Sequence, residues 1–442
     1  MRSGTHPLYE EHYRVRAAIG VESKETTADA VSALVASEAV AARAALTSLD
    51  EARVGEALSD AARTLRASPD AVLEANERDI AAASGLDAGA LDRLRLDEAR
   101  IEAIATGLDA TAALPPLERA VRSWRLENGL EVSERLVPIG VVGANFEARP
   151  NVAVDVASQV LKSGNAVVLR TGGAALGTVT VLVDEVLRPA LGRCGLPGAA
   201  VGLVRTPDRA GAEALVSLPE LIPLVILRGS GASTAALAHR AALHGVRTLA
   251  HAEGGGVLYL HLSASPELVT ALARASLDRL GVCNRLNLAL VDRGAPGLEA
   301  LLAVAAELGL EVRATEPLDG ALPHEERLGH EWASDPERVQ TVTVHLVDGV
   351  EEALRIANDE TSALAAAVAA EDEETARRFL DGYRGTAAFW NAPTRFTDGF
   401  ALLGTLETGV NVDRAPGPRG PVTYRDLALR QYRVVGDGTQ HR

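Results

Sequence analysis

The 442-residue sequence predicts an α/β protein with two open, mainly parallel sheets and a small β-hairpin arm. Between residues 138 and 252, apolar segments of strand length alternate with helical segments, and the alternation begins again after three consecutive glycines, 254–256. Short connections between alternating strands and helices are typical of a parallel sheet covered on both faces. An Asn128-Gly129 turn between two strand-like segments predicts the hairpin.

The composition indicates a soluble globular protein, since 47% of the residues are apolar and 24% are charged. A net charge of −16 argues against a nucleic acid or an anionic membrane as the main partner. Charged residues interrupt each apolar segment, so no segment is expected to span a membrane. Cys194 and Cys283 are too few for a disulfide framework, which indicates a reducing cytoplasm.

The expected division of the chain begins with a polar, disordered lead-in at residues 1–27. Residues 28–126, where apolar residues recur at helical spacing, and residues 138–252 are expected to form one domain, in which Asp70 caps a helix after Pro69. Its strands are predicted at 139–143, 166–170, 200–204, 221–227 and 247–251.

Residues 253–400 are expected to form a second α/β domain, with a helix at 266–280 before Cys283. Its strands are predicted at 257–262, 288–291, 342–346, 363–369 and 387–390. The remaining segments, 127–137 and 421–436, are expected to pair with each other as an arm that contacts another subunit.

Two glycine-containing turns favour a nucleotide cofactor. One follows the second strand as Arg170, Thr171, Gly172 and Gly173, and the other opens a helix as Gly229, Ser230 and Gly231. Both turns lie at the carboxyl ends of strands in one sheet, where ligands bind in such folds. Backbone without side chains can approach a phosphate closely, and Arg170 can pair with one. The end of the first strand, residues 140–151, lacks the G-x-G-x-x-G spacing of the common dinucleotide site.

The principal candidate for chemistry is Cys283, at a predicted junction between a helix and a strand. A thiol there can reach a cleft and act as a nucleophile, or it can be a small buried apolar group. Arg149 and Asn151 precede another helix, where they can face an oxyanion or serve only as a surface charge and a cap. Glu253 is either a general base for water or a charged turn residue.

Several segments, read in order, resemble the γ-glutamyl phosphate reductase family of the aldehyde dehydrogenase superfamily. They are residues 73–76, 79–83, 91–96, 140–155, 162–170, 281–284 and 391–399. The resemblance extends from about residue 30 to the end of the chain. It implies an aldehyde-dehydrogenase-like fold with an NADP-binding domain, a catalytic domain and an oligomerisation arm that forms a homodimer or homotetramer.

The resemblance implies NADPH-dependent reduction of an acyl phosphate, most simply L-glutamyl 5-phosphate, to the semialdehyde in proline-type biosynthesis. Cys283 would form a thioester, and Asn151, with Asn145 as an alternative, would stabilise the oxyanion together with the Cys283 N–H group. Glu253 resembles the water-activating glutamate of hydrolytic aldehyde dehydrogenases. The implied cofactor residues are Arg170, Thr171, Gly172, Gly173, Gly229, Ser230, Gly231 and Asp335. The implied substrate residues are Arg149, Asn284, Thr394 and Arg395.

The sequence also departs from the family pattern, because residues 358–365 lack the histidine and aspartate that family members carry there. A paralogue acting on another activated acyl group or aldehyde therefore stays open, as does a hydrolytic aldehyde dehydrogenase. A further alternative is a non-catalytic relative that binds a partner enzyme, such as the kinase that makes the acyl phosphate. No metal site is predicted.

Overall fold

The computed structural model describes residues 27–86, 88–251, 254–279, 281–318, 322–328, 340–413 and 417–441. The architecture is α/β, with two parallel sheets and a small antiparallel arm, as the sequence predicts. The expected lead-in lies outside the described residues except for Thr27, and Glu253 and Asp335 also lie outside them.

The N-terminal part of the described chain is helical. Its helices are α1 (Thr27–Ala45), α2 (Glu51–Ala67), α3 (Asp70–Ala82), α4 (Ala88–Leu94) and α5 (Glu98–Ala113). The expectation that Asp70 caps α3 is wrong, because Asp70 is its first helical residue and Pro69 occupies the cap position without a side-chain bond. A carboxylate in the first turn still interacts favourably with the positive end of the helix dipole.

One described stretch, Ala28–Ser48, has the length and apolar composition of a membrane-crossing helix, which corrects the expectation that no segment does. In this fold α1 packs on the first sheet. Val35 and Ala39 are fully buried there, and the Glu38 carboxylate accepts a hydrogen bond of 3.2 Å from the Leu203 N–H group. Packing against the sheet therefore accounts for the apolar residues on one face of this helix, whereas Leu34 and Val40 on the rest of its surface are exposed.

The first sheet has the strand order β5-β4-β3-β6-β7, and every pairing in it is parallel. Its strands are β3 (Val141–Phe146), β4 (Ala166–Thr171), β5 (Val201–Leu203), β6 (Leu224–Arg228) and β7 (Arg247–His251). The intervening helices are α6 (Pro150–Lys162), α7 (176–193, with a π-helical segment at Leu182–Leu187), α8 (Arg209–Leu215) and α9 (Gly231–His244). Because the strands are parallel, their carboxyl ends meet at one edge of the sheet.

The second sheet has the order β10-β11-β9-β8-β12-β13 and is also parallel. Its strands are β8 (Gly256–Leu260), β9 (Leu286–Asp292), β10 (Glu311–Ala314), β11 (Thr341–Val347), β12 (Ala365–Ala369) and β13 (Ala387–Trp390). The helices are α10 (Pro266–Ser276), α11 (Gly297–Glu307), α12 (Val350–Asp359), α13 (Glu373–Gly382) and α14 (Gly399–Leu403). The helix predicted at 266–280 thus ends at Ser276.

The arm is an antiparallel sheet of β1 (Ala120–Arg125), β2 (Glu131–Pro138) and β16 (Ala428–Val435). Strand β16 pairs with β2 from Ala428–Pro138 to Val435–Glu131, which confirms the predicted pairing of the tail with the hairpin. Two further short strands, β14 (Gly409–Asn411) and β15 (Gly420–Val422), pair with each other. Strand β14 lies against the first sheet and links it to the second domain.

Candidate active site

Cys283 lies in the turn between α10 and β9, as predicted. Gly281 enters this turn with a φ angle of 69°, a left-handed conformation that glycine adopts without steric cost. The Cys283 side chain is half-buried and packs against an apolar cluster formed by Leu364, Ala365 and Val410. Cys283 is therefore not sealed in the core, because the residue as a whole keeps part of its surface open to solvent.

Charged groups from the first sheet act on this thiol. Burial raises the pKa of Cys283, while the positive charges of Arg149 and Arg228 oppose that rise and the carboxylate of Glu407 adds to it. Arg149 precedes α6 and Arg228 ends β6, so both come from the carboxyl edge of the first sheet. Guanidinium groups stabilise a thiolate, which is the nucleophilic form of cysteine.

Arg149 pairs with Glu147 across 3.0 Å between Nε and Oε1. Burial lowers the pKa of Arg149 to about 10, so its guanidinium stays charged at neutral pH. Burial favours the neutral acid of Glu147, but Arg149 and Arg228 hold the pKa of this carboxyl below its ordinary value. Arg149, held in place by Glu147, thus places a fixed positive charge near Cys283.

Arg228 and His251 join the first sheet to β14. The Arg228 Nη1 group donates to the Thr408 carbonyl at 3.3 Å, and the Val410 N–H group donates to His251 Nδ1 at 3.0 Å. Burial and then the Arg228 charge lower the pKa of His251 to about 4, so the ring is neutral at pH 7. A side chain on Gly409 would place its Cβ 3.3 Å from His251 Cβ, so the strand and the sheet edge are in close contact.

Asn151, a predicted oxyanion donor, lies in the first turn of α6. Its Nδ2 group donates to Asp155 Oδ2 at 3.0 Å, which leaves one N–H of the amide for another acceptor. Burial raises the pKa of Asp155 to about 7, although Arg228 opposes the rise. Asn151 is thus oriented by a carboxyl group that gains or loses its proton near neutral pH.

Asn284, Thr394 and Arg395 come together around the Cys283 turn. The Asn284 Nδ2 group donates to the carbonyl oxygens of Arg395 at 2.9 Å and Thr397 at 3.2 Å, and Thr394 Oγ1 donates to the Asn284 carbonyl at 2.8 Å. Arg395 pairs with Asp278 at 2.6 Å and also donates to the Asn284 side chain. Asn284 and Thr394 are buried, so in this structure their polar groups hold the turn that carries the thiol.

The two glycine-containing turns lie at the same sheet edge. Arg170 donates to Asn145 Oδ1 at 3.3 Å and to the carbonyl oxygens of Pro207 and Asp208 at 3.1 and 3.2 Å. Its Nε atom is buried and has no hydrogen-bond partner within the described part of the chain. A Cβ on Gly173 would lie 2.9 Å from Pro207 Cβ, so this turn has room only for glycine.

At the second turn, Ser230 occupies the N-cap position of α9, and its side chain makes no capping hydrogen bond. The positive end of a helix dipole at such a turn favours an anionic group such as a phosphate. The buried Arg170 Nε atom, which lacks a hydrogen-bond partner among the described residues, is a second polar group at this sheet edge. Asp335, the predicted ribose ligand, and Glu253, the predicted general base, belong to segments that the structure leaves undescribed.

The structure adds titratable residues to which sequence reasoning assigned no role. They are Glu147, Asp155, Arg228, His251 and Glu407, which lie around Cys283 or around one another. Arg228 directly precedes Gly229 in the second glycine-containing turn. Its position at the end of a predicted strand could therefore have indicated that it lies at the ligand-binding edge of the sheet. Glu407 lies in no motif, and nothing in its neighbours along the chain points to the thiol.

Comparison with known proteins identifies the family. No protein-family model matches the chain. The γ-glutamyl phosphate reductase of Gluconobacter oxydans is 36% identical over 410 residues, which cover 90% of this chain and 94% of that protein. The same-named protein of Rhizorhabdus wittichii is 35% identical over 418 residues, covering 92% of this chain and 95% of the relative.

Solved structures agree with these relatives. The crystal structure of γ-glutamyl phosphate reductase from Thermotoga maritima has a TM-score of 0.83 at 26% identity, covering 92% of this chain and all of that chain. An acetylating aldehyde dehydrogenase from Geobacillus thermoglucosidasius has a TM-score of 0.68 at 15% identity, and the match covers 94% of this chain and 99% of that chain. The two proteins therefore share a fold. The chain therefore belongs to the γ-glutamyl phosphate reductase family and has an aldehyde-dehydrogenase-like fold.

Proposed function

We propose that this protein reduces an acyl phosphate, L-glutamyl 5-phosphate, to the semialdehyde in proline biosynthesis, with NADPH as the reductant and Cys283 as the nucleophile. The name shared by the relatives supports the substrate. The observation that carries the proposal is the half-buried Cys283 thiol, held near the guanidinium groups of Arg149 and Arg228. This arrangement suits a thiolate that attacks an anionic acyl donor.

In the proposed reaction, the Cys283 sulfur attacks the acyl carbon, the bond to phosphate breaks, and a thioester forms. Arg149 and Arg395 would hold the anionic groups of the substrate, with Asn284 and Thr394 positioning the turn beneath it. The second N–H of the Asn151 amide and the Cys283 backbone N–H are the proposed donors to the oxyanion. Loss of either donor would raise the energy of the tetrahedral intermediate.

The proposed cofactor site consists of Arg170, Thr171, Gly172 and Gly173 together with Gly229, Ser230 and Gly231. When bound, NADPH supplies the hydride that converts the acyl group to the aldehyde. The N-terminal end of α9, with its positive helix dipole, and the buried Arg170 Nε atom support a phosphate-bearing ligand here. An engineered glycolyl-CoA reductase with this fold, 14% identical and with a TM-score of 0.66, was solved with bound NADP⁺. Asp335 is the proposed ribose ligand.

The experiment that tests this function follows NADP⁺ reduction with glutamate semialdehyde, with and without phosphate. We expect reduction only with phosphate, its loss in Cys283→Ser, and its retention in the matched control Cys194→Ser. Reduction without phosphate would instead indicate a hydrolytic aldehyde dehydrogenase that uses Glu253. No reduction in either buffer would contradict the glutamyl substrate and favour another aldehyde or a non-catalytic relative.

The arm is the proposed site of subunit association, in a homodimer or homotetramer of a cytoplasmic enzyme. Its strand β16 leaves apolar side chains about half exposed, with Leu429 at 47% and Val434 at 52%. Exposed apolar side chains on one sheet favour contact with a second protein surface. Light scattering of the purified protein should give a mass of two or four chains, and a monomer would contradict this assignment. Binding to the upstream kinase is a separate possibility that co-purification would test.

A further inference from the structure

An open cleft of about 710 Å³ is lined by the helices α2 and α5 and lies away from the Cys283 turn. One face of α2 lines one side of it, with Glu51, Gly55 and Ser59 spaced four residues apart. The last turn of α5 and the apolar residues that follow it, Leu114 and Pro116, line the other side. Pockets for small molecules have volumes of about 300–1,000 Å³, so this cleft has the size of a ligand site.

Lys162, the last residue of α6, lines the cleft although only 4% of its surface is exposed. Its Nζ atom lies 3.9 Å from the position that a Cβ on Gly55 would occupy, and it donates to the Ala112 carbonyl at 3.2 Å. An ammonium group has three N–H donors, and within the described part of the chain Lys162 has no other acceptor. Two donors therefore remain for a ligand in the cleft.

Glu56 on α2 supplies the opposite charge. It lines the cleft, its side chain is exposed, and none of the described residues places a cationic nitrogen within 4.0 Å of it. Lys162 and Glu56 thus differ from the other charged side chains of the cleft, which have ion-pair partners. Those pairs are Glu51 with Arg119, Asp109 with Arg66, and Arg63 with Asp60.

We propose that this cleft binds a small apolar α-amino acid as its zwitterion. The ligand carboxylate accepts hydrogen bonds from Lys162, its ammonium group donates to Glu56, and its side chain packs against Leu114 and Pro116. Burial lowers the pKa of Lys162, and a bound carboxylate offsets that effect because it stabilises the charged amine. Lys162 lies about 17 Å along α6 from Asn151, at about 1.5 Å per residue, so this site is separate from the proposed active site.

Isothermal titration calorimetry of the full-length protein tests the site with L-proline, L-leucine and L-valine. Two derivatives of each amino acid serve as matched ligands, because the methyl ester lacks the carboxylate and the N-acetyl derivative lacks the ammonium charge. We expect at least one of the amino acids to bind with a Kd of about 1 mM. Its two derivatives should bind about tenfold more weakly or not at all, because each loses one charge-assisted contact.

Cys194 also lines the cleft and reports where the ligand binds. A saturating concentration of the amino acid should slow the alkylation of Cys194 by iodoacetamide, measured at alkaline pH by mass spectrometry of its peptide. Burial raises the pKa of this thiol, which is why alkaline pH is needed. The alkylation rate of Cys283 should stay unchanged. Protection of Cys283 without protection of Cys194 would place the ligand in the active site and overturn the proposal.

Two variants test the assigned contacts. Glu56→Gln changes an exposed side chain, so the fold should be kept while the Kd rises about tenfold. Lys162→Met keeps an unbranched buried side chain without the charge, and it should abolish binding. The matched control Glu77→Gln changes an exposed carboxylate on α3 outside the cleft and should bind as the wild-type protein does.

The proposal is overturned if none of the three amino acids binds to the wild-type protein. Equal affinity for an amino acid and both of its derivatives would overturn it as well, because the two charges would then play no part. Wild-type affinity in Glu56→Gln would refute the contact with the ammonium group, and this variant remains informative even if Lys162→Met does not fold.

Discussion

The ion pair between Arg149 and Glu147 offers a prediction that separates stability from reactivity. Replacing Arg149 with Met retains much of the side-chain volume but removes the charge, and it leaves Glu147 as a half-buried carboxylate without its partner 3.0 Å away. Breaking a fully buried pair costs about 3–5 kcal/mol. The two side chains here are 26% and 32% exposed, so solvent compensates in part, and we expect a loss of about 2 kcal/mol.

The double variant Arg149→Met with Glu147→Gln removes both charges, so it should recover most of that stability. It should not recover thiol reactivity, because the positive charge that lowers the pKa of Cys283 is still missing. Urea unfolding followed by circular dichroism measures the first effect, and alkylation of Cys283 at pH 7 measures the second. Equal stability of the single and double variants, or wild-type alkylation in either, would refute the reasoning.

Three further predictions concern stability and are measured by urea unfolding. The buried Asn76 amide accepts a hydrogen bond from the Leu96 N–H at 2.7 Å, and Asn76→Ala would leave that N–H unsatisfied in the core. The free energy of unfolding should fall by about 2–4 kcal/mol. A fall below about 0.5 kcal/mol would contradict this prediction. The pKa of His251 is lowered from 6.5 to about 4 in the folded protein, so the neutral ring contributes stability at pH 7 that is lost as the pH falls towards 4. His251→Gln should therefore reduce the loss of stability between pH 7 and pH 4 by about 3 kcal/mol. An unchanged dependence of stability on pH would count against this prediction. Gly256→Ala should cost about 1–3 kcal/mol, since its Cβ would lie 2.8 Å from the Arg285 carbonyl oxygen. An equally stable variant would show that the start of β8 adapts.

Local patterns in the sequence predicted much of the fold. The buried strand β4 is a continuous apolar run between a glycine-containing turn and Arg170, and this pattern was sufficient to predict it. The pairing of β16 with β2 was also predictable, because both segments have strand composition. The helix before Cys283 ended four residues earlier than predicted, at Ser276, since helix ends depend on tertiary contacts as well as on local periodicity.

Site residues were predictable only where they lie next to strand ends or in motifs. Cys283, Arg149 and Arg170 met this condition. Glu407 did not, because only the tertiary fold brings its charge to act on the thiol. Asp155 lies one helical turn after Asn151, but helical spacing alone does not show that burial raises the pKa of its carboxyl group.

The sequence by itself determined the α/β class, the alternation of strands and helices, and the position of a cysteine at a turn, because side-chain periodicity and glycine conformations act over a few residues. Only the tertiary structure decided which charges surround that cysteine. Arg149, Arg228 and Glu407 are separated by long stretches of chain, and their influence on the thiol depends on distance and burial in the folded protein. Electrostatic environment is a property of the three-dimensional arrangement, so no local pattern can encode it.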